Sequence, residues 1–207
     1  MRVEILRELE ADDPKLELPW ASPRDPRVRY VDLNRFPEMI DGLSECRRYP
    51  ALAGLLRKMH LKGCALRTAK CGVWVTTKLA DDERLDFPVP IKVGSYLDLV
   101  FNSSRLNSCL ETHLFLGKRL ERLLRSCRVQ AQAEVAVRRC LFHPKERWGF
   151  YVTIFVHAYG ATRAEAKKEW SRAMDCLGDG LLVIGTKFAA RVPSRRHMRS
   201  TDPTVAR

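Results

Sequence analysis

The chain predicts an α+β fold: an antiparallel sheet built from a duplicated ββα unit, with helices packed on one face and an N-terminal strand and two-helix elaboration. Three observations carry this. Apolar residues alternate over Cys71, Val73, Val75, Thr77 and Leu79, and again, after a polar segment, over Ile91, Val93, Leu97, Leu99 and Phe101. A second hairpin pattern runs through Val129, Ala131, Ala133, Val135 and Val137, a turn at His143-Pro144-Lys145-Glu146, then Phe150, Val152, Ile154 and Val156. Period-two runs joined by short polar segments signal antiparallel hairpins. A helix start follows each one: Ser108-x-x-Glu111 and Thr162-x-x-Glu165 both fit a capping box, in which each side chain satisfies a free amide of the other.

The boundaries follow from these signals. Residues 1–190 are expected to form one α+β domain, comprising an N-terminal segment (1–63), a first ββα unit (64–127) and a second unit with a final strand (128–190). Residues 191–207 read as a basic flexible tail with five arginines against one aspartate. Val3 and Ile5 suggest a strand or the start of a helix, and Pro14, Pro19, Pro23 and Pro26 argue against any regular element from 12 to 27. Asn34 is placed to cap a helix carrying Ile40, Leu43 and Cys46. Pro50 opens another through Leu52, Leu55, Leu56 and Met59, with Gly63 as its stop.

The two repeat helices are amphipathic. The first buries Leu110, Leu114, Gly117, Leu120 and Leu124 and turns Lys118, Arg119, Arg122 and Arg125 outward. The second buries Ala166, Trp170, Ala173, Met174 and Leu177, and Gly178 and Gly180 read as its end, so that Leu181 to about Phe188 is expected as a strand.

Composition narrows the function class. No apolar run reaches the ~20 residues a membrane span needs. The first ten residues alternate charged and apolar types without a signal-peptide core, so a cytoplasmic location is expected, with no membrane partner. Seven scattered cysteines and no CxxC pair point to reduced, buried thiols rather than to disulfides or a zinc ribbon. P-loop, GxGxxG, HExxH and GxSxG motifs are all missing, which lowers the expectation of an enzyme without removing it. No cofactor is implied. A net charge of +12 favours encounter with polyanions.

The sheet face opposite the core set is rich in rings and polar groups: Trp74, Thr76, Lys78, Tyr96 and Asp98 in the first unit, and Gln130, Gln132, Glu134, Arg138, Tyr151, Thr153, Phe155, His157 and Tyr159 in the second. Such a surface can stack bases while cations hold phosphates. It can equally line a cup in which a few polar groups orient an apolar ligand, or be covered by the N-terminal segment and the helices at 35–60.

The leading expectation is a non-enzymatic, nucleic-acid-associated binding protein using Arg119, Arg122, Arg125, Arg138, Tyr151, Phe155, Trp74 and the tail residues Arg195 and Arg196. The alternative is a small-molecule-binding domain, sensor or enzyme, with Trp74, Tyr96, Asp98, Glu134, Tyr151 and His157 lining the pocket. The two part on whether the arginines surround the rings.

Weaker candidates carry plainer explanations. Cys109 with His113 and Cys140 with His143 could make a four-ligand zinc set, but the spacing fits no common module, and no metal site is expected. Cys140 with His143 or His157 lacks a glycine turn or helix start to supply oxyanion donors. Asp81-Asp82-Glu83 reads as a solvated turn, whereas Asp98 and Glu134 lie within strands. If those strands pair, the two acids could face each other and one would have a raised pKa, and Glu134 could equally be neutralised by Arg138 on the same strand face.

Overall fold

The computed structural model describes residues 1–25 and 27–191. In chain order these form β1 (Arg2–Arg7), β2 (Lys15–Leu18), α1 (Met39–Gly42), α2 (Ser44–Arg48), α3 (Pro50–Met59), β3 (Leu66–Thr76), α4 (Asp81–Asp86), β4 (Ile91–Phe101), α5 (Ser104–Asn107), α6 (Leu110–Ser126), β5 (Ala131–Phe142), β6 (Arg147–Gly160) and α7 (Arg163–Arg191). The fold is α+β with one open, mixed sheet of order β1-β5-β6-β4-β3. The two hairpins pair with each other through β4 and β6, and these four strands are antiparallel. β1 and β2 run parallel to β5 on its outer edge, one after the other: Val3 lies opposite Ala133, and Leu16 opposite Cys140.

One face of the sheet carries the main core. Val93, Leu97, Val135, Val152, Ile154 and Val156 meet α3, α6 and α7 there, as alternation dictates. Trp170 of α7 is fully buried at the centre. Its indole N–H donates to Ser95 Oγ at 2.9 Å, and Tyr49 meets it edge-on at 5.5 Å between centroids. A buried indole needs such a partner for its one polar atom.

Five expectations are corrected. Leu181 to Phe188 is helix, not strand: α7 runs unbroken to Arg191. Gly178 and Gly180 are contact points rather than stops, since a Cβ at Gly180 would lie 2.4 Å from Leu123 Cδ2 and one at Gly178 3.3 Å from Leu55 Cα. The proline-rich stretch does hold a regular element, because β2 fits between Pro14 and Pro19 and draws its order from pairing with β5. The polar loop at 81–84 is the helix α4, with Glu83 accepting from the Ala80 amide. Finally, α6 starts after Cys109 and Glu111 meets the Cys109 thiol, so the Ser108 box does not form. The Thr162 box does: the Glu165 amide donates to Thr162 Oγ1 at 3.2 Å, and the Thr162 amide to Glu165 Oε2 at 3.3 Å.

No helix among the described residues is long and apolar enough to cross a membrane. The tail candidates Arg195 and Arg196 lie outside the described residues.

Candidate functional site

Register places the second sheet face residue by residue. One row across the strands reads Trp74, Gly94, His157, Gln132; the next Gly72, Tyr96, Phe155, Glu134; the next Lys70, Asp98, Thr153, Ala136. Both ends of this face are covered. At one end Leu16, Leu18, Trp20 and Tyr30 pack on Ala69, Val100, Cys140 and Tyr151, and the Trp20 indole donates to the Ala69 carbonyl at 2.7 Å. At the other, Phe87 stacks on Tyr159 at 4.0 Å, and Glu83 of α4 accepts from the Tyr159 hydroxyl at 2.9 Å and from Lys92 at 2.6 Å. An ion pair from Arg2 to Asp86 ties α4 to β1. Between the two covers lies a strip of half-buried side chains that we call the trough.

The rings lie low because glycines sit beneath them. A Cβ at Gly94 would lie 2.5 Å from the Trp74 indole, and one at Gly72 2.6 Å from the Tyr96 ring. Trp74 is 6.5 Å from Tyr96 and 5.8 Å, edge-on, from His157; Phe155 is 6.3 Å from His157. Four rings thus form a continuous floor. Lys70 sits over Trp20 and Tyr96, and Arg138 sits over Phe155 at 5.3 Å, so both cations are already engaged with rings.

The polar groups of the trough are perturbed. Asp98 is buried, and burial pushes its carboxyl up to about 6, against the pull of the Thr153 hydroxyl and the charges of Arg138 and Lys70. A chain of contacts holds it: Arg138 pairs with Glu8 at 2.6 Å and donates to Thr153 Oγ1 at 3.2 Å, while Thr153 donates to Asp98 Oδ1 at 2.7 Å. Burial likewise pushes the His157 imidazole down to about 4, aided by Lys92, so the ring is neutral at pH 7. Glu134 stands 3.9 Å from that neutral ring, and burial with the charges of Glu4 and Glu83 raises its carboxyl pKa. The neighbouring side chain in the next row is thus an uncharged imidazole, and the opposing pull comes from Lys92, which is itself paired with Glu83.

The expected site residues divide. Trp74, Tyr96, Asp98, Glu134, Phe155 and His157 come together in the trough. Tyr151 shares their face but is buried beneath Leu16 and Leu18 with its hydroxyl pushed up to about 12, so its ring offers no stacking surface. Arg138 borders the trough. Arg119, Arg122 and Arg125 are on α6, behind the opposite face of the sheet, and Arg125 pairs with Glu121 at 2.8 Å. The cover on the trough face comes from residues 15–30 and α4; the helices at 39–59 pack elsewhere.

The weaker candidates are dispersed as well. His113 is buried, with Nδ1 2.8 Å from the carbonyl oxygen of Cys109, which precedes its helix, and burial pushes the Cys140 thiol up to about 12. Among the described residues no three His, Cys, Asp or Glu side chains converge on a metal-sized point. Lys70, Gly72 and Gly94 belong to the trough but escaped sequence reading. The one available signal was glycine at two strand positions, which marks a close approach. No protein-family model matches the chain, and neither a curated protein nor a solved structure is significantly similar to it.

Proposed function

We propose that this is a small-molecule-binding protein whose ligand lies in the trough, and that the ligand carries an amine or other cationic group on an apolar body. The observation that supports this most directly is Glu134: a half-buried carboxylate facing a neutral imidazole, beside the ring floor of Trp74, Tyr96 and Phe155. Rings attract cations through their quadrupole, the more so when desolvated, and a carboxylate with no ion pair of its own to Lys or Arg among the described residues supplies the directional partner. The covers at both ends give the strip the bounded shape ligand sites have. Heteronuclear NMR screening with cationic, neutral and anionic fragments tests the reading. Cationic fragments should shift the Trp74 indole and His157 signals, and Glu134→Gln should abolish the preference. Hits with no charge preference, or hits that leave those signals unmoved, refute it.

Nucleic-acid association is the second reading, favoured by the net charge of +12 and by Arg119 and Arg122 on α6. It is the weaker one because those arginines and the rings occupy opposite faces, so one strand could not stack on the rings and neutralise its phosphates on α6 together. We also read the chain as a duplicated ββα unit, β3-β4-α6 followed by β5-β6-α7, with the remaining N-terminal elements as an elaboration. The β4–β6 pairing supports this, and it puts the trough across the seam between the two copies.

A further inference from the structure

We infer that the groove between α6 and α7 is a second binding site, for a single-chain anionic amphiphile such as a long-chain carboxylate. The two helices touch where Leu123 fills the space left by Gly180. They meet again through Phe115 and Phe188, whose ring centroids are 5.9 Å apart. Between these two contacts lies a cavity of about 400 Å³, within the range of small-molecule sites.

Its chemistry has two parts. Leu123, Ile184 and Phe188 line it together with Phe115 and Val183, which are 40% and 49% exposed despite their apolar character. These side chains give the cavity an apolar wall of the kind that lines small-molecule sites. The remaining lining is Ser126 and three cations, Arg119, Arg122 and Lys187, with no acidic side chain among the lining residues. Arg119 is held over the Phe115 ring at 5.1 Å, at the border of the apolar part. A guanidinium so placed can take a carboxylate by two parallel N–H donors. A hydrocarbon chain with a carboxylate at one end meets both parts at once.

Charge excludes two other occupants. The segment that follows α7 carries Arg195, Arg196, Arg199 and Arg207 against Asp202 alone, so it would be repelled from three cations. A second copy docked groove to groove would bring the same cations face to face. The site is independent of the trough, which lies on the other side of the sheet.

The test is calorimetric titration of the full chain with dodecanoate below its micellar concentration, followed by methyl-detected NMR. Dodecanoate should bind, shifting the Leu123, Val183 and Ile184 methyls, and at least tenfold more tightly than dodecyltrimethylammonium. Arg119→Gln/Arg122→Gln/Lys187→Gln, which removes charge at the surface without emptying the core, should weaken it at least tenfold. Val183→Glu should do the same by closing the apolar part to an anion. Equal affinity for the two detergents, methyl shifts confined to the trough, or binding to phosphatidylglycerol vesicles or a single-stranded oligonucleotide without binding of dodecanoate would each overturn the assignment.

Discussion

Thr153 donates its hydroxyl hydrogen to Asp98 Oδ1 at 2.7 Å, joining β6 to β4 beneath the trough. This bond favours the ionised carboxylate, yet burial outweighs it and holds the carboxyl up at about 6. Relative to an ordinary aspartate near 3.8, the folded state binds the extra proton between about pH 4 and 6. Its stabilising contribution is complete below the lower value and lost as pH rises through the upper one. Asp98→Asn keeps an acceptor for Thr153 and removes the buried charge. It should raise stability at pH 8 by about 2 kcal/mol and change it little at pH 4, as read by urea denaturation. A variant less stable than the parent at pH 8 would show that Arg138 and Lys70 make the charge favourable.

His157 acts in the opposite sense over nearly the same interval. Its pKa is depressed from 6.5 to about 4, so the unfolded chain takes up a proton that the folded one refuses. The stabilising contribution is present above about 6.5 and is lost as pH falls toward 4. Asp98 and His157 therefore oppose each other, and each variant should expose the other's slope. Between pH 4.5 and 6.5 stability should rise with pH more steeply in Asp98→Asn than in the parent, and less steeply in His157→Gln. The depressed His60 and His113 contribute equally to all three proteins and cancel in the comparison. Parallel profiles for the two variants would refute the assignment.

How far these groups could be read from the sequence depended on the period. Asp98, Glu134 and His157 were legible because strand alternation fixed their face before any contact was known. The terminal strand was misread because Gly178 and Gly180 carry two meanings: glycine ends helices, and it also admits close neighbours. Only the positions of Leu55 and Leu123 decide between them, and those are tertiary facts. Tyr151 failed for a related reason. Alternation gives the face, but the cover over it comes from β2, a four-residue strand ordered by pairing rather than by local preference.

Asn107 had no sequence signal at all, and it closes the end of β4. Its side chain accepts from the Phe101 amide at 2.7 Å and donates to the Phe101 carbonyl at 2.9 Å, all of it buried. Asn107→Ala leaves a donor and an acceptor inside the protein without partners, at about 1–3 kcal/mol each when water cannot replace them. The loss measured by urea denaturation should exceed about 2 kcal/mol. A smaller loss would mean that water reaches Phe101 once the amide is gone.

The ring floor makes the last prediction, because it rests on a contact that only glycine allows. At Gly94 an added Cβ would stand 2.5 Å from Trp74 Cε2 and Cζ2, well inside van der Waals contact. The backbone cannot retreat, since β4 is paired on both sides, with β3 and with β6. The half-buried indole must turn away instead, which breaks its edge contact with His157. Gly94→Ala should therefore change the near-ultraviolet circular dichroism of the protein and cost about 1 kcal/mol of stability. The cost should vanish when Trp74→Leu is the background, because the three atoms nearest the added Cβ all belong to the ring. In a double-mutant cycle that coupling should account for nearly all of the single-variant loss. An equal cost in both backgrounds would place the strain in the strand itself, and the floor would not owe its geometry to Gly94.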